Sequence, residues 1–142
     1  MAASKFPTYP DLALLMVRLW VGVVGVLHGS QKLFGLFGGP DLNGFAKFLE
    51  GLNVPAPKVS ALLACLAEGV GGLLVALGLF PRLAALPFAF TMLVAAFTAH
   101  RGKFFVQNGG GEYALTMAVI LIAIALAGPG RLTIRGQKAA GS

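Results

Sequence analysis

In 142 residues the chain carries 57% hydrophobic but only 11% charged side chains, with a formal net charge of +6. Soluble domains carry about 25% charged residues, so the composition excludes an ordinary water-soluble globule and points to lipid as the solvent. No basic cluster or base-stacking motif accompanies the positive charge, which suits anionic lipid headgroups rather than nucleic acid.

The first apolar run, Leu12 to Leu36, contains Arg18, His28 and Lys32. It is too long for a signal peptide and no small-x-small cleavage site follows it, so it is expected to remain as a helix in the mature protein. Residues 37–58 form the one long connection. After Gly38-Gly39-Pro40, Asp41 is placed to cap a short helix over residues 41–53. Its apolar positions Leu42, Phe45, Phe48, Leu49 and Leu52 recur at helical spacing, with Lys47 and Glu50 opposite. Such a helix is expected to lie flat on the membrane as an interfacial lid, to pack on the bundle, or both.

The second run, residues 59–80, carries Glu68 as its one charge and Cys65, the single cysteine, which excludes an intrachain disulfide or C-x-x-C pair. Pro81 and Arg82 are read as a tight turn into the third run, residues 83–100, making an antiparallel hairpin. Pro87 is expected in the first turns of that run, where a missing N–H costs least. The fourth run, residues 112–130, follows Asn108-Gly109-Gly110-Gly111 and stops at Gly128-Pro129-Gly130. Each run meets the roughly 17–25 residues that cross a hydrocarbon core about 30 Å thick, the third and fourth near the lower edge. The expected fold is all-α, a four-transmembrane-helix bundle with a short interfacial helix, forming one integral membrane domain over residues 1–142.

Four spans place both termini on one side with Lys5, Arg82, Arg131, Arg135 and Lys138, against Lys47, Lys58, Arg101 and Lys103 on the other. This bias leans towards cytoplasmic termini. Tyr9 and Trp20 are read as interface anchors, with Trp20 equally suited to face another helix.

Charges inside apolar spans are costly and mark functional sites by default. At a rise of about 1.5 Å per residue, His28 and Glu68 both lie roughly 12–14 Å below one face and are expected to meet. Lys32 stands one turn above His28 on the same stripe, and Gln31 beside it. Arg18, about four turns from Lys32, shares its azimuth and is expected to reach towards Glu68. Asn108 and Glu112 open the fourth span at that face, with His100 and Arg101 at the periphery, and Asn108 is read as capping that helix. Arg18, His28, Gln31, Lys32, Glu68, Asn108 and Glu112 thus form the expected buried polar pocket. Its readings are a charge network that fixes helix register or a site for a ligand, proton or cofactor headgroup.

His28 and His100 differ by about 12 Å in depth, which disfavours a bis-histidine haem. His28 and Glu68 fall short of the three or four ligands usual for zinc, so no metal site is assigned. Gly25 and Gly29 form a G-x-x-x-G facing the small ridge Ala64, Glu68 and Gly72, which brings the first two spans close or else dimerises two copies.

The ordered set Arg18, His28-Gly29-Ser30-Gln31-Lys32, Glu68 with Gly71-Gly72, Gly78-Leu79, Arg82, Asn108-Gly109-Gly110 with Glu112, and Gly128-Pro129-Gly130 resembles the DoxX family of small four-span bacterial membrane proteins. The resemblance covers roughly residues 12–135, with Gly111 one residue extra against the usual asparagine-glycine-glycine-glutamate pattern. It implies a multi-pass protein of the bacterial inner membrane, associated with quinone-linked respiratory or sulfur-oxidising enzymes and redox-stress complexes, without a settled catalytic activity. The expected function is an accessory subunit of a membrane redox complex whose pocket receives a quinone or relays protons. A small-metabolite carrier acting as a homo-oligomer and a purely structural subunit are the alternatives.

Overall fold

The computed structural model describes residues 6–135, which leaves Lys5 and Lys138 of the topology argument outside the described residues. Five α-helices and no strand occur among them. They are α1 (Tyr9–Phe34), α2 (Asp41–Gly51), α3 (Pro57–Leu77), α4 (Pro81–Phe97) and α5 (Glu112–Ala127).

The long helices neighbour one another in the order α1, α3, α4, α5, with α2 lying across α1 and α3. One end of the bundle therefore gathers α2, the C-terminal ends of α1 and α4 and the N-terminal ends of α3 and α5. The other end gathers the start of α1, the α3–α4 turn and the segment after α5. The main core joins α4 and α5 through Phe88, Met92, Met117, Leu121 and Ile124. A smaller core joins α2 to α3 through Phe45, Ala46, Leu49, Ala61 and Cys65. All four long helices turn large apolar side chains outward, among them Met16, Leu63, Phe90 and Leu126. Trp20 is 68% exposed and so is turned outward from the other helices of the described residues.

Several boundaries move for local reasons. The first helix ends two residues earlier than its apolar run, because Gly35 adopts φ 70° and returns its N–H to Gln31 O. The turn between α3 and α4 is Gly78-Leu79-Phe80, not Pro81-Arg82: Pro81 opens α4, the position where its lost N–H is harmless. Pro87 consequently stands at the seventh residue of α4, deeper than expected. Pro40 holds the cap position of α2 and Asp41 is its first residue, one place later than expected of a cap, with its carboxylate accepting the Gly44 N–H at 2.9 Å.

The helices α1 and α3 are long and apolar enough to cross a membrane, whereas α4 and α5, at 17 and 16 residues, are shorter apolar helices. The pair α1 and α3 makes the most extensive contact in the bundle. Glycines make it possible. A Cβ on Gly22 would stand 2.4 Å from Ala76 Cβ, one on Gly25 2.5 Å from Glu68 O, and one on Gly29 2.7 Å from Gly69 Cα. The G-x-x-x-G is thus spent inside the chain, and its buried residues offer no surface to a second copy.

Gly25→Ala should therefore wedge α1 off α3 and cost about 1–3 kcal/mol of stability. Gly51, whose Cβ would meet nothing within 4 Å, should accept alanine without loss. Thermal unfolding in detergent, followed by labelling of the single buried Cys65 as it becomes exposed, checks both outcomes.

Candidate functional site

Glu68 is 1% exposed in the middle of α3, and Lys32 reaches it from the last turns of α1. Lys32 Nζ donates to Glu68 Oε1 at 2.6 Å and to Oε2 at 2.8 Å. The same ammonium lies 5.1 Å from the centre of the Phe45 ring, which α2 brings over it. An ammonium has three N–H donors, and two are engaged by the carboxylate. The Lys32 side chain retains 21% exposure.

The carboxylate therefore meets Lys32 and not His28 through hydrogen bonds. Side chains on a helix lean towards its N-terminus. On antiparallel α1 and α3 this tilts Lys32 downward and Glu68 upward, so the residue one turn higher on α1 is the one that meets it. The His28 ring instead stacks on Tyr113 of α5, with centroids 5.5 Å apart. Tyr113 was hidden from sequence reading as the first residue of an apolar run.

The same tilt carries Arg18 away from Glu68. Its guanidinium, 1% exposed, donates from Nε to Val75 O at 3.0 Å, from Nη2 to Ala76 O at 3.1 Å and from Nη1 to Pro129 O. It supplies the donor for Ala76 O and a second donor for Val75 O, which also accepts the Gly78 N–H at 3.2 Å, at a helix end where the dipole favours a cation. Arg18 thus fastens the far end of the bundle and takes no part in the Lys32–Glu68 pair.

The remaining residues serve the loops. The Gln31 side chain packs under Gly39. Glu112 Oε1 accepts the Val106 N–H at 2.9 Å, and His100 Nδ1–H donates to Gly109 O at 2.8 Å, so both fold the 98–111 connection onto itself. Asn108 does not cap α5, because Gly111 holds the cap position, and Arg101 is exposed. The extra glycine separates Asn108 from the helix start.

Beside the ion pair a groove of 980 Å³ runs along α3 and α4 beneath α2, from Ser60 and Thr98 at one end to Phe80 and Leu83 at the other. Lys32 and Glu68 are the ionisable groups on its wall. Its hydroxyls are all turned to their own backbone: Ser60 to Pro55 O at 2.7 Å, Thr91 to Pro87 O at 3.0 Å and Thr98 to Val94 O at 2.6 Å. The groove is therefore apolar along its length, with one charged point at the pair. Sequence reading missed it because its walls are ordinary leucines, valines and phenylalanines.

The DoxX family model matches residues 13–101. An uncharacterized membrane protein of Mycobacterium tuberculosis is 34% identical over 149 residues, spanning 92% of this chain and 88% of its own. The inner membrane protein YphA of Escherichia coli is 24% identical over 127 residues, 85% of this chain and 86% of its own. A Bacillus subtilis protein named "Putative oxidoreductase CatD" is 26% identical over 114 residues, 80% of this chain and 79% of its own. No solved structure matches the chain.

Lys32→Met leaves the Glu68 carboxylate buried without its partner and should cost about 3–5 kcal/mol. Adding Glu68→Leu should recover most of that loss, since two apolar side chains of similar volume need no counter-charge. Unfolding temperatures of the single and double variants test this, and a Lys32→Met protein as stable as the parent would contradict the pairing.

Proposed function

The chain belongs to the DoxX family of membrane proteins, and from that premise we propose that it is a four-span accessory subunit of a membrane redox complex that holds a quinone beside Lys32 and Glu68. The observation that carries this reading is the joining of an ion pair with a buried carboxylate and a partly accessible ammonium to a long groove with no other charge on its wall among the described residues. A quinone is an apolar ring and tail with carbonyl acceptors at one end. The groove is large enough for a small molecule and apolar enough for the tail, and the third Lys32 N–H is the donor a carbonyl requires. The residues present fit the group.

A bound quinone supplies electron and proton carriage within the bilayer. The chain's own residues position it and hold the proton: Lys32 orients the carbonyl, Glu68 keeps the ammonium fixed, and Phe45 of α2 covers it from the interface. The name of the Bacillus subtilis relative supports a redox setting, and the electrons are assigned to a protein partner.

Four spans are supported by the outward apolar faces of α4 and α5, which carry Leu83, Phe90, Val119 and Leu126. At about 1.5 Å per residue these helices reach roughly 24–26 Å. The exposed Phe104, Phe105 and Val106 of their connection extend the apolar band towards the interface. We place α2 at that interface in the bacterial inner membrane, and the termini, with Arg82, Arg131 and Arg135, on the cytoplasmic side.

Purified with its native lipids, the protein should yield quinone on solvent extraction. Glu68→Gln should retain about tenfold less, because a hydrogen bond to a charged group contributes about 1.5–3 kcal/mol. Preparations without quinone, or equal retention by the variant, would overturn the reading.

A further inference from the structure

The end of the bundle opposite the ion pair carries most of the net positive charge of the described residues. Arg18, Arg82, Arg131 and Arg135 gather there with Asp11 as the one carboxylate of the described residues at that end. At the other end Lys47, Lys58, Arg101 and Lys103 are accompanied by Asp41, Glu50 and Glu112. Asp11 lies 3.9 Å from Arg131. Neither Arg82 nor Arg135 has a carboxylate in salt-bridge range among the described residues.

Both arginines are held in place by the fold. Arg82 stands in the first turn of α4, where the dipole of its own helix opposes a cation, and its guanidinium lies against Gly128: a Cβ there would be 3.0 Å from Nη2. The segment after α5 is tied back onto α3 by the Ile134 N–H, which donates to Leu77 O at 3.2 Å. That tie sets the Arg135 guanidinium 4.6 Å over the Phe80 ring. Phe80 is the residue two before Arg82, so the two exposed guanidinium groups flank one turn of chain.

Around them the surface is apolar. Phe80, Leu83, Leu126 and Ile134 are each more than half exposed. Two guanidinium groups with no carboxylate partner among the described residues, set at the edge of an outward apolar surface, match a phosphate carried on acyl chains. Arginine forks bind phosphate oxygens in pairs, and the acyl chains cover the leucines and the phenylalanine.

We propose that Arg82 and Arg135 form a binding site for the phosphate of an anionic phospholipid at the α3–α4 turn, separate from the Lys32–Glu68 pair and adjoining the far end of the groove, whose Phe80 and Leu83 it shares. The site holds the short α4–α5 hairpin at the headgroup level and secures the segment after α5 against α3.

The test uses the full chain in uncharged detergent, with unfolding read from labelling of Cys65. Mixed micelles holding phosphatidylglycerol should raise the unfolding temperature by about 4 °C or more over micelles holding phosphatidylcholine. In Arg82→Gln with Arg135→Gln that difference should vanish, whereas Lys47→Gln with Lys58→Gln should keep it. Each variant is compared with its own phosphatidylcholine sample, so a loss of basal stability does not obscure the result. Arg82→Lys with Arg135→Lys should keep part of the difference, since charge remains and the paired fork is lost. An equal rise with phosphatidylcholine, an equal rise with inorganic phosphate alone, or a full rise in the double glutamine variant would each overturn the proposal.

Discussion

One ion pair between two helices organises this bundle. Lys32 and Glu68 are joined by two hydrogen bonds, with the carboxylate wholly removed from solvent. Placing either charge alone in such surroundings is costly, and the pair is tolerable only because the backbones that carry it come very near each other. Gly22, Gly25 and Gly29 allow that approach, since any larger residue would meet the backbone or side chains of α3. The glycine contact and the ion pair are therefore one device: small residues set the distance, and the charges set the register.

The same helix pair is fastened a second time, by a different chemistry. Arg18 has no carboxylate and uses carbonyls instead, those of Val75 and Ala76 at the end of α3 and of Pro129 beyond α5. Helix ends leave carbonyls short of donors, so a buried guanidinium there supplies Ala76 O and adds a second donor to Val75 O in a dry interior. The consequence is a division of labour along α1. Its lower charge secures the end of α3 and the segment after α5, and its upper charge faces the groove.

Much of this architecture was legible in the sequence. The apolar runs located the four long helices, the apolar spacing from Leu42 to Leu49 located α2, and Gly25 with Gly29 marked the face that meets α3. The family resemblance was also readable, in residues scattered from Arg18 to Gly130. The exact partners were not. His28 and Lys32 share one stripe of α1, and a ruler based on Cα depth favours His28. Side-chain tilt on antiparallel helices decides for Lys32 and sends Arg18 the opposite way. Asn108 escaped for a simpler reason, since a run of glycines has no pattern that fixes its register. The groove escaped because it is a property of how faces meet and not of any residue in them.

The most direct test measures the pair in a bilayer. Solid-state dipolar recoupling between a 15N-labelled Lys32 ammonium and a 13C-labelled Glu68 carboxylate reads their separation without detergent. The account predicts strong coupling, as required by an N–O distance of 2.6 Å. Absence of coupling, with the labelled protein folded, would contradict it.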